Sequence, residues 1–235
     1  MNTNFKYSQK LFFLLLMGFS LCVFQACSDD DEEPMPLLEN CNVLVSGHEA
    51  VDLGLSVKWA TCNLGSETPE EYGEYYAWGE TETKSDYNWN TYKWCNISNE
   101  IHTLTKYSET IDNQTTLTPS DDAATIKWGK RWRMPTKKET EELLNKCTWT
   151  WTKLNNINGF VIVGPSGRSI FLPAAGSRVG TQLLYSNKYA YYWSSTLINN
   201  NNNYAHSLFF YSGEYKGFNS RFSAHPIRPV TKEPK

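Results

Sequence analysis

The residues best suited to binding chemistry lie between positions 185 and 230. Tyrosine, asparagine, histidine and phenylalanine are frequent there, and five asparagines stand in a row at 199–203. Tyrosine rings supply contact area at a low entropic cost, and asparagine supplies adaptable hydrogen bonds. We predict a ligand-binding face formed by Asn187, Tyr189, Tyr191, Asn201, Tyr204, His206, Phe209, Tyr211, Tyr215, Phe218, Asn219, Arg221 and Phe222. The alternative is an ordinary strand surface that is rich in asparagine and tyrosine.

Carboxylates and histidines form no catalytic arrangement in this sequence. Glycoside hydrolysis needs two carboxylates that face one bond, but the acidic stretch at 70–82 singles out no pair, so we expect a solvated edge. His206 and His225 are better explained as ordinary strand residues than as a base and its partner. The sequence also lacks a nucleophile elbow, a zinc-protease helix and a phosphate-binding loop. We predict no enzymatic activity, with a glycan-active enzyme that uses Glu74 or Glu80 as the less favoured alternative.

Metal ions and cofactors are not expected. The four histidines do not cluster with cysteines at zinc-ligand spacing, and no CxxC motif occurs. A structural calcium ion on Asp121 or Asp122 stays an open alternative, although these acids are better explained as charges in the first turn of a helix. Four cysteines follow Cys27 and allow three full disulfide pairings, between which the sequence does not choose: Cys41, Cys62, Cys95 and Cys147.

The N-terminus has the pattern of a secretory signal peptide. Lys6 and Lys10 precede an apolar run at 11–24, which is shorter than the roughly 20 residues of a transmembrane helix. Ala26 is a small residue directly before Cys27, and five acids follow at 29–33. We therefore predict a signal peptide at 1–26 and a mature chain that begins at Cys27.

Ala26 and Cys27 resemble the lipobox of bacterial lipoproteins. This resemblance implies that Cys27 is acylated on its sulfur and its amine, so that its acyl chains anchor the protein in outer-membrane lipid. The acidic run at 29–33 resembles the export tag of some Bacteroidota lipoproteins, which implies exposure on the cell surface. A solvated, disordered spacer explains the same acids, and both interpretations can hold together.

Charge and length describe a single neutral domain behind an acidic linker. Removal of Lys6 and Lys10 with the signal peptide leaves 20 basic against 25 acidic residues, a net charge of −5. Five of those acids lie at 29–33, so the rest of the chain is balanced and nucleic acid is not an expected partner. We predict a disordered linker at 27–45, broken by Pro34 and Pro36, and one domain at 46–231.

The order of elements predicts an α+β fold with an antiparallel sheet. Ser120 is the predicted cap of a helix at 121–128 that ends before Gly129. Thr136 and Glu139 predict a capping box for a second helix at 137–146. A turn is expected at 164–167, and short strands at 148–152, 159–163, 169–172, 191–195, 205–211, 214–218 and 224–230.

Eight blocks in this order resemble the Fibrobacter succinogenes major paralogous domain: VDLGLSVKWATCNLG (51–65), EYGEYYAWG (71–79), DDAA (121–124), WRMPT (132–136), CTWTW (147–151), IFLPAAG (170–176), YWSST (192–196) and IRPV (227–230). The segment at 132–139 also resembles formylglycine-generating-enzyme-type domains. The resemblance implies a C-type-lectin-like fold with two helices and a large loop-rich half that faces ligands. It also implies that Trp59, Trp78, Trp132 and Trp193, which lie inside the shared blocks, belong to the core.

The chain departs from these relatives at several cysteines. Ser108 and Thr231 stand where relatives often have cysteine, which implies that at least one remaining cysteine is a free thiol. No cysteine follows Cys147, so the oxygen-activating cysteine pair of the formylglycine-generating enzymes is missing. The sugar-binding tripeptides of calcium-dependent lectins are also absent.

The segment at 185–230 resembles the variable region of lectin-fold proteins that are diversified by retroelements. Those elements mutate adenines, which changes asparagine codons to codons for tyrosine, serine, histidine, phenylalanine, isoleucine or aspartate. The residue types of this segment fit that set. We predict a surface-anchored lipoprotein that binds an extracellular glycan or protein. The alternatives are a structural or fimbria-associated envelope subunit and, less favoured, the enzyme considered above.

Overall fold

The computed structural model describes residues 42–108, 110–211 and 214–232, and for residues 214–216 the backbone alone. The predicted signal peptide, Cys27 and the acidic run therefore lie outside the described residues. Within the described part, no helix is both long enough and apolar enough to cross a membrane.

The described chain is strand-rich, with two α-helices and one short 3-10 helix at Pro119–Asp121. The helices are α1 (Ala123–Trp128) and α2 (Lys137–Lys146). The strands are β1 (Val43–Val45), β2 (His48–Val51), β3 (Lys58–Ala60), β4 (Tyr76–Ala77), β5 (Cys95–Ser98), β6 (Ile101–Leu104), β7 (Trp132–Arg133), β8 (Thr148–Leu154), β9 (Ile157–Val163), β10 (Ser169–Pro173), β11 (Ser177–Val179), β12 (Gln182–Leu184), β13 (Ala190–Leu197), β14 (Tyr204–Tyr211), β15 (Glu214–Ser220), β16 (Ala224–His225) and β17 (Val230–Thr231).

These strands form small sheets in which every pairing between named strands is antiparallel. Their orders are β1-β2-β3-β17-β7, β10-β9-β8, β12-β11-β16-β4, β13-β14-β15 and β5-β6. The predicted α+β class with antiparallel sheets is therefore correct. Strand β1 lies inside the segment predicted as linker, where Val43 pairs with Ala50 and Val45 is buried.

The second helix begins as predicted, whereas the first has a different cap. At α2 the Thr136 hydroxyl accepts a hydrogen bond from the Glu139 N–H, and the Glu139 carboxylate accepts one from the Thr136 N–H. At α1 the cap is Asp122, which accepts from the Thr125 N–H, so the prediction of Ser120 was wrong. The reason is that Pro119 and Ser120 form the preceding 3-10 turn.

The core forms where α2 packs on strands β13 and β14 and on the β8–β10 sheet. Leu143 is buried there among Phe160, Leu208 and Phe210, with Leu144 and Cys147 packed beside it. The four tryptophans expected in the core, Trp59, Trp78, Trp132 and Trp193, are each at most 1% exposed. Leu143 and Leu144 thus form the apolar side of α2.

Turns and prolines decide where the strands end. The turn predicted at 164–167 joins β9 to β10, with the Gly167 N–H bonded to the Gly164 carbonyl. The predicted strand at 224–230 is interrupted, because Pro226 and Pro229 lack an N–H and no strand forms between β16 and β17. The polar stretch at 81–118 contains the β5–β6 hairpin.

The described cysteines are free thiols. Cys62, Cys95 and Cys147 are each half-buried and form no disulfide. Burial raises the pKa of the Cys147 thiol to about 11, which keeps it protonated at neutral pH. Cys41 lies outside the described residues.

Candidate functional site

Strand alternation divides the predicted binding residues between two faces of the β13-β14-β15 sheet. On β14, Phe209 and Tyr211 lie on one face. Tyr204 and His206 lie on the other face, together with Leu208, which packs in the core. The single binding face expected from the sequence is therefore two surfaces with different neighbours.

Five aromatic rings meet on the Phe209 side of the sheet: Tyr185, Tyr189, Tyr191, Phe209 and Tyr211. We call this group the aromatic surface. Tyr191 stacks on its cross-strand partner Phe209 at 4.7 Å between ring centroids, and the Tyr189 ring lies 6.0 Å from Phe209. Tyr189 also contacts Tyr185 at 5.3 Å and Tyr211 at 5.6 Å. Rings that contact each other in this way hold each other in place, so the surface is formed before any ligand arrives.

The tyrosine hydroxyls of the aromatic surface make no hydrogen bond within the described part of the chain. Buried tyrosines elsewhere behave differently. The hydroxyl of Tyr75 donates to the Ala175 carbonyl, that of Tyr92 donates to the Trp78 carbonyl, and that of Tyr192 donates to the Pro173 carbonyl. The four surface hydroxyls thus remain available to a ligand as donors and acceptors.

A tight turn between β12 and β13 places Tyr185 and Tyr189. The N–H groups of Lys188 and Tyr189 both donate to the Tyr185 carbonyl. Gly176 packs directly beneath, and its N–H donates to the Tyr189 carbonyl at 2.8 Å. A Cβ on Gly176 would lie 2.2 Å from the Leu184 carbonyl oxygen, so only glycine permits this close approach.

Asn187 is a positioning residue within this turn. Its side-chain oxygen accepts from the Asn158 N–H at 2.7 Å, and its carbonyl accepts from the Asn158 side chain at 2.9 Å. Its own N–H donates to the Ala174 carbonyl. The side-chain oxygen of Asn187 thus holds the base of the turn, and its role as a ligand contact stays a prediction.

His225 forms the floor of the aromatic surface. It is fully buried, with its ring stacked against Tyr191 at 5.2 Å and tilted against Trp193 at 4.2 Å. Its Nδ1 lies 3.0 Å from the Ala224 carbonyl oxygen, whereas Nε2 has no partner. Burial lowers the pKa of His225 to about 3, so the ring is neutral at physiological pH.

The opposite face of the sheet borders a groove along α2. His206 and Phe218 are cross-strand partners, and Phe218, which is 60% exposed, meets Tyr204 edge-on at 5.5 Å. The groove has a volume of about 360 Å³ and is also lined by Lys137 and Glu141 of α2. Burial and the Lys137 ammonium lower the pKa of His206.

Arg221 was predicted as a ligand contact, and its position corrects this prediction. The side chain is 0% exposed. Its guanidinium donates to the Tyr92 hydroxyl and to the carbonyls of Lys106, Tyr107 and Asn202. It therefore fixes the loop at 199–203 instead of facing solvent.

The remaining predicted residues are dispersed. Phe222 packs edge-on against Trp89 at 5.0 Å, away from the aromatic surface. The side chain of Asn219 donates to the Ser207 hydroxyl, and Asn201 lies exposed in the loop. Tyr215 pairs with Phe210 through its backbone, and its side chain lies outside the described residues.

Acidic residues considered for catalysis or calcium have partners within the fold. The Glu74 carboxylate accepts from the Tyr76 hydroxyl, and Glu80 is paired with Lys84 at 2.8 Å. Asp122 caps α1, and Asp121 accepts from Lys106 and from the Tyr107 hydroxyl. Within the described ranges, no three histidine, cysteine or acidic residues are grouped as metal ligands.

Comparisons of the chain with protein-family models, with curated proteins and with solved structures give no match. Functional inference therefore rests on the geometry of the aromatic surface and on the sequence itself.

The sequence prediction missed Tyr185 of this surface and His225, which lies beneath it. Tyr185 was omitted, although the density of tyrosine at 185–192 marked its segment. His225 was seen as an ordinary strand residue, and no sequence pattern places its ring beneath Tyr191, because strands β16 and β13 meet only in the tertiary structure.

Proposed function

We propose that this protein is a lipoprotein anchored in the outer membrane through Cys27 and exposed on the cell surface, where it binds an extracellular ligand through the aromatic surface. The observation that carries the binding role is a cluster of five mutually packed rings whose four tyrosine hydroxyls have no partner within the described residues. Groups of exposed aromatic side chains on a folded domain commonly mark interaction sites.

The anchor part of the proposal rests on the sequence. Cys27 follows a signal-peptide pattern and Ala26, and the acids at 29–33 form a polar segment between the lipid and the domain. Two acyl signals on one cysteine suffice for stable membrane attachment.

A C-type-lectin-like fold is part of the same proposal. It is supported by the eight ordered sequence blocks, by the two helices and by antiparallel sheets connected through long loops. The family resemblance supports the proposed fold and the proposed cell-surface location, and it names no ligand.

Diversification by a retroelement is proposed for the segment at 185–230. Its tyrosines and asparagines lie largely at partly or fully exposed positions, while Ala205, Leu208, Phe210 and Arg228 between them are at most 2% exposed. Substitution at the exposed positions would therefore change the surface without changing the core. A near-copy of this coding segment beside a reverse transcriptase gene, differing mainly at adenines, is the expected finding at the locus, and an invariant gene without such a copy refutes this part.

The binding role is tested with full-length protein displayed on cells. The wild type is first screened for binding to immobilised mucin, purified polysaccharides and matrix proteins. For a ligand that the wild type binds, we expect the double variant Tyr189→Ala, Tyr211→Ala to have an affinity at least tenfold lower. The matched control is Tyr204→Ala, which removes the same side chain from the opposite face of the same sheet. Equal binding by the double variant, or equal loss in the control, would exclude the aromatic surface.

The anchor is tested separately. Incorporation of radiolabelled palmitate is expected in the wild type and absent in Cys27→Ala. Labelling of the Cys27→Ala variant to the wild-type level would refute acylation at this residue.

A further inference from the structure

We infer that the ligand of the aromatic surface is a neutral carbohydrate and that Tyr185 is the ring on which it stacks. This inference rests on the proposed binding function and specifies its chemistry. Three features of the described residues support it: the backbone conformation of Tyr185, the chemistry of the five side chains, and the area that they expose.

Tyr185 adopts a backbone conformation that is unfavourable for its residue type. Its φ is +61°, in the left-handed region that bulky side chains rarely enter. Among the other described non-glycine residues with positive φ, the exception to a small or polar residue type is Tyr107. The rest are asparagine, serine or glutamate: Ser46, Asn99, Glu100, Asn113, Asn155, Asn156, Asn187 and Asn200. Asparagine at position 185 would satisfy the same turn with less strain.

The exception, Tyr107, is explained by packing, whereas Tyr185 is not. Tyr107 is fully buried, and its hydroxyl donates to Asp121. Tyr185 is 52% exposed, its hydroxyl has no partner within the described chain, and its ring contacts Tyr189. Since burial does not account for this residue, the strained backbone at an exposed aromatic ring indicates a functional constraint.

Tyr185 is also the most exposed of the five rings. Tyr191 is stacked between Phe209 and His225, and Tyr189 is surrounded by Tyr185, Phe209 and Tyr211. A ligand that lies flat on Tyr185 would therefore also lie close to Tyr189, whose ring centroid is 5.3 Å from that of Tyr185.

The five side chains of the aromatic surface offer stacking and hydrogen bonds without a charged group of their own. None of the five side chains carries a carboxylate, an amine or a guanidinium, and the cation–π contacts within the described residues fall on other rings, such as Tyr75, Trp78 and Trp94. Lys188 is the charged residue of the same turn, and it is exposed. A sugar ring matches this arrangement, because its C–H face packs on an aromatic ring while its hydroxyls bond at the edge. An acidic ligand would gain no ion pair from these five side chains.

The exposed area favours a small ligand over a protein. At about 200 Å² per aromatic side chain, four half-buried rings and Tyr185, which is 52% exposed, expose roughly 400 Å². A partner in a standard protein interface contributes about 800 Å². The surface suits a few sugar units.

The test uses full-length protein and immobilised polysaccharides of known charge. The neutral probes are dextran, laminarin and galactomannan, the acidic probes are polygalacturonate and heparin, and gelatin is the protein probe. We expect binding to at least one neutral probe and none to the acidic probes. The variant Tyr185→Asn, whose new residue tolerates the left-handed backbone, should bind that neutral probe at least tenfold more weakly, with an unfolding midpoint equal to or above that of the wild type.

Each other outcome contradicts a defined part of the inference. Binding to no neutral probe, or to gelatin or the acidic probes alone, overturns the ligand class. The proposed function survives that result if the Tyr189→Ala, Tyr211→Ala variant still loses binding and Tyr204→Ala does not. Neutral-probe binding that is unchanged in Tyr185→Asn overturns the role of Tyr185.

Discussion

Acidification should destabilise this protein through His225, and the variant His225→Phe should remove that sensitivity. The imidazole is fully buried between Tyr191 and Trp193. Its Nε2 has no hydrogen-bond partner, so a proton bound there would have no acceptor within the described residues. A phenyl ring keeps the stack and does not titrate, so it isolates protonation from packing. The Nδ1 contact with the Ala224 carbonyl is lost in the variant at every pH.

The size of the effect follows from the two pKa values. His225 has a pKa of about 3 in the folded protein and 6.5 as its ordinary value. Below pH 6.5 the unfolded chain binds a proton that the folded chain excludes, so stability that is present above 6.5 falls as the pH drops toward 3. At about 1.4 kcal/mol per pH unit, the free energy of unfolding should fall by about 2 kcal/mol between pH 7 and pH 5.

Urea unfolding followed by tryptophan fluorescence at pH 7 and pH 5 measures this difference. The pKa values of His48 and His206 are also lowered by burial, but both residues are present in wild type and variant. Their contribution therefore cancels when the two pH differences are compared. If wild type and His225→Phe lose the same free energy within about 0.5 kcal/mol, a buried neutral His225 is not the cause of any acid sensitivity.

Three further predictions concern the elements that hold the surface. Thr136→Ala removes the hydroxyl that caps α2 and should cost about 1 kcal/mol in urea unfolding, and a value near zero would show that the Glu139 half of the capping box suffices. Gly176→Ala places a Cβ 2.2 Å from the Leu184 carbonyl oxygen and should cost at least about 2 kcal/mol, while a wild-type midpoint would show that the turn can shift freely. Arg221→Met leaves one buried and two partly buried carbonyls without their donor and should lower the free energy of unfolding by about 3 kcal/mol or more. An unchanged midpoint in thermal unfolding would contradict this expectation.

Local signals in the sequence predicted the helices and most strands of the second half. The capping box at Thr136 and the glycine at 129 act within a few residues of themselves, so their effect is readable without the fold. Asp122 was predicted as a first-turn charge, whereas the 3-10 turn at Pro119–Asp121 takes the residues before it and leaves Asp122 as the cap. The Asp121 carboxylate of that turn is bound by Lys106, a contact that the sequence does not reveal.

The binding residues were predicted by type, and their grouping was not. Tyr189, Tyr191, Phe209 and Tyr211 do come together, because cross-strand register pairs Tyr191 with Phe209. Tyr204 and His206 lie on the other side of the sheet, since side chains alternate along a strand. Arg221 looked like a surface donor and is instead a buried cation held by carbonyl oxygens and aromatic rings.

The sequence by itself determined the α+β class, the capped helix α2 and the segment in which aromatic residues gather. These properties depend on residue type and on spacing within one element. The tertiary structure decided which tyrosines share a face, that Tyr185 projects from a strained turn over Gly176, and that His225 lies beneath Tyr191. Those outcomes depend on register and on contacts between strands far apart in the chain, which local patterns do not encode.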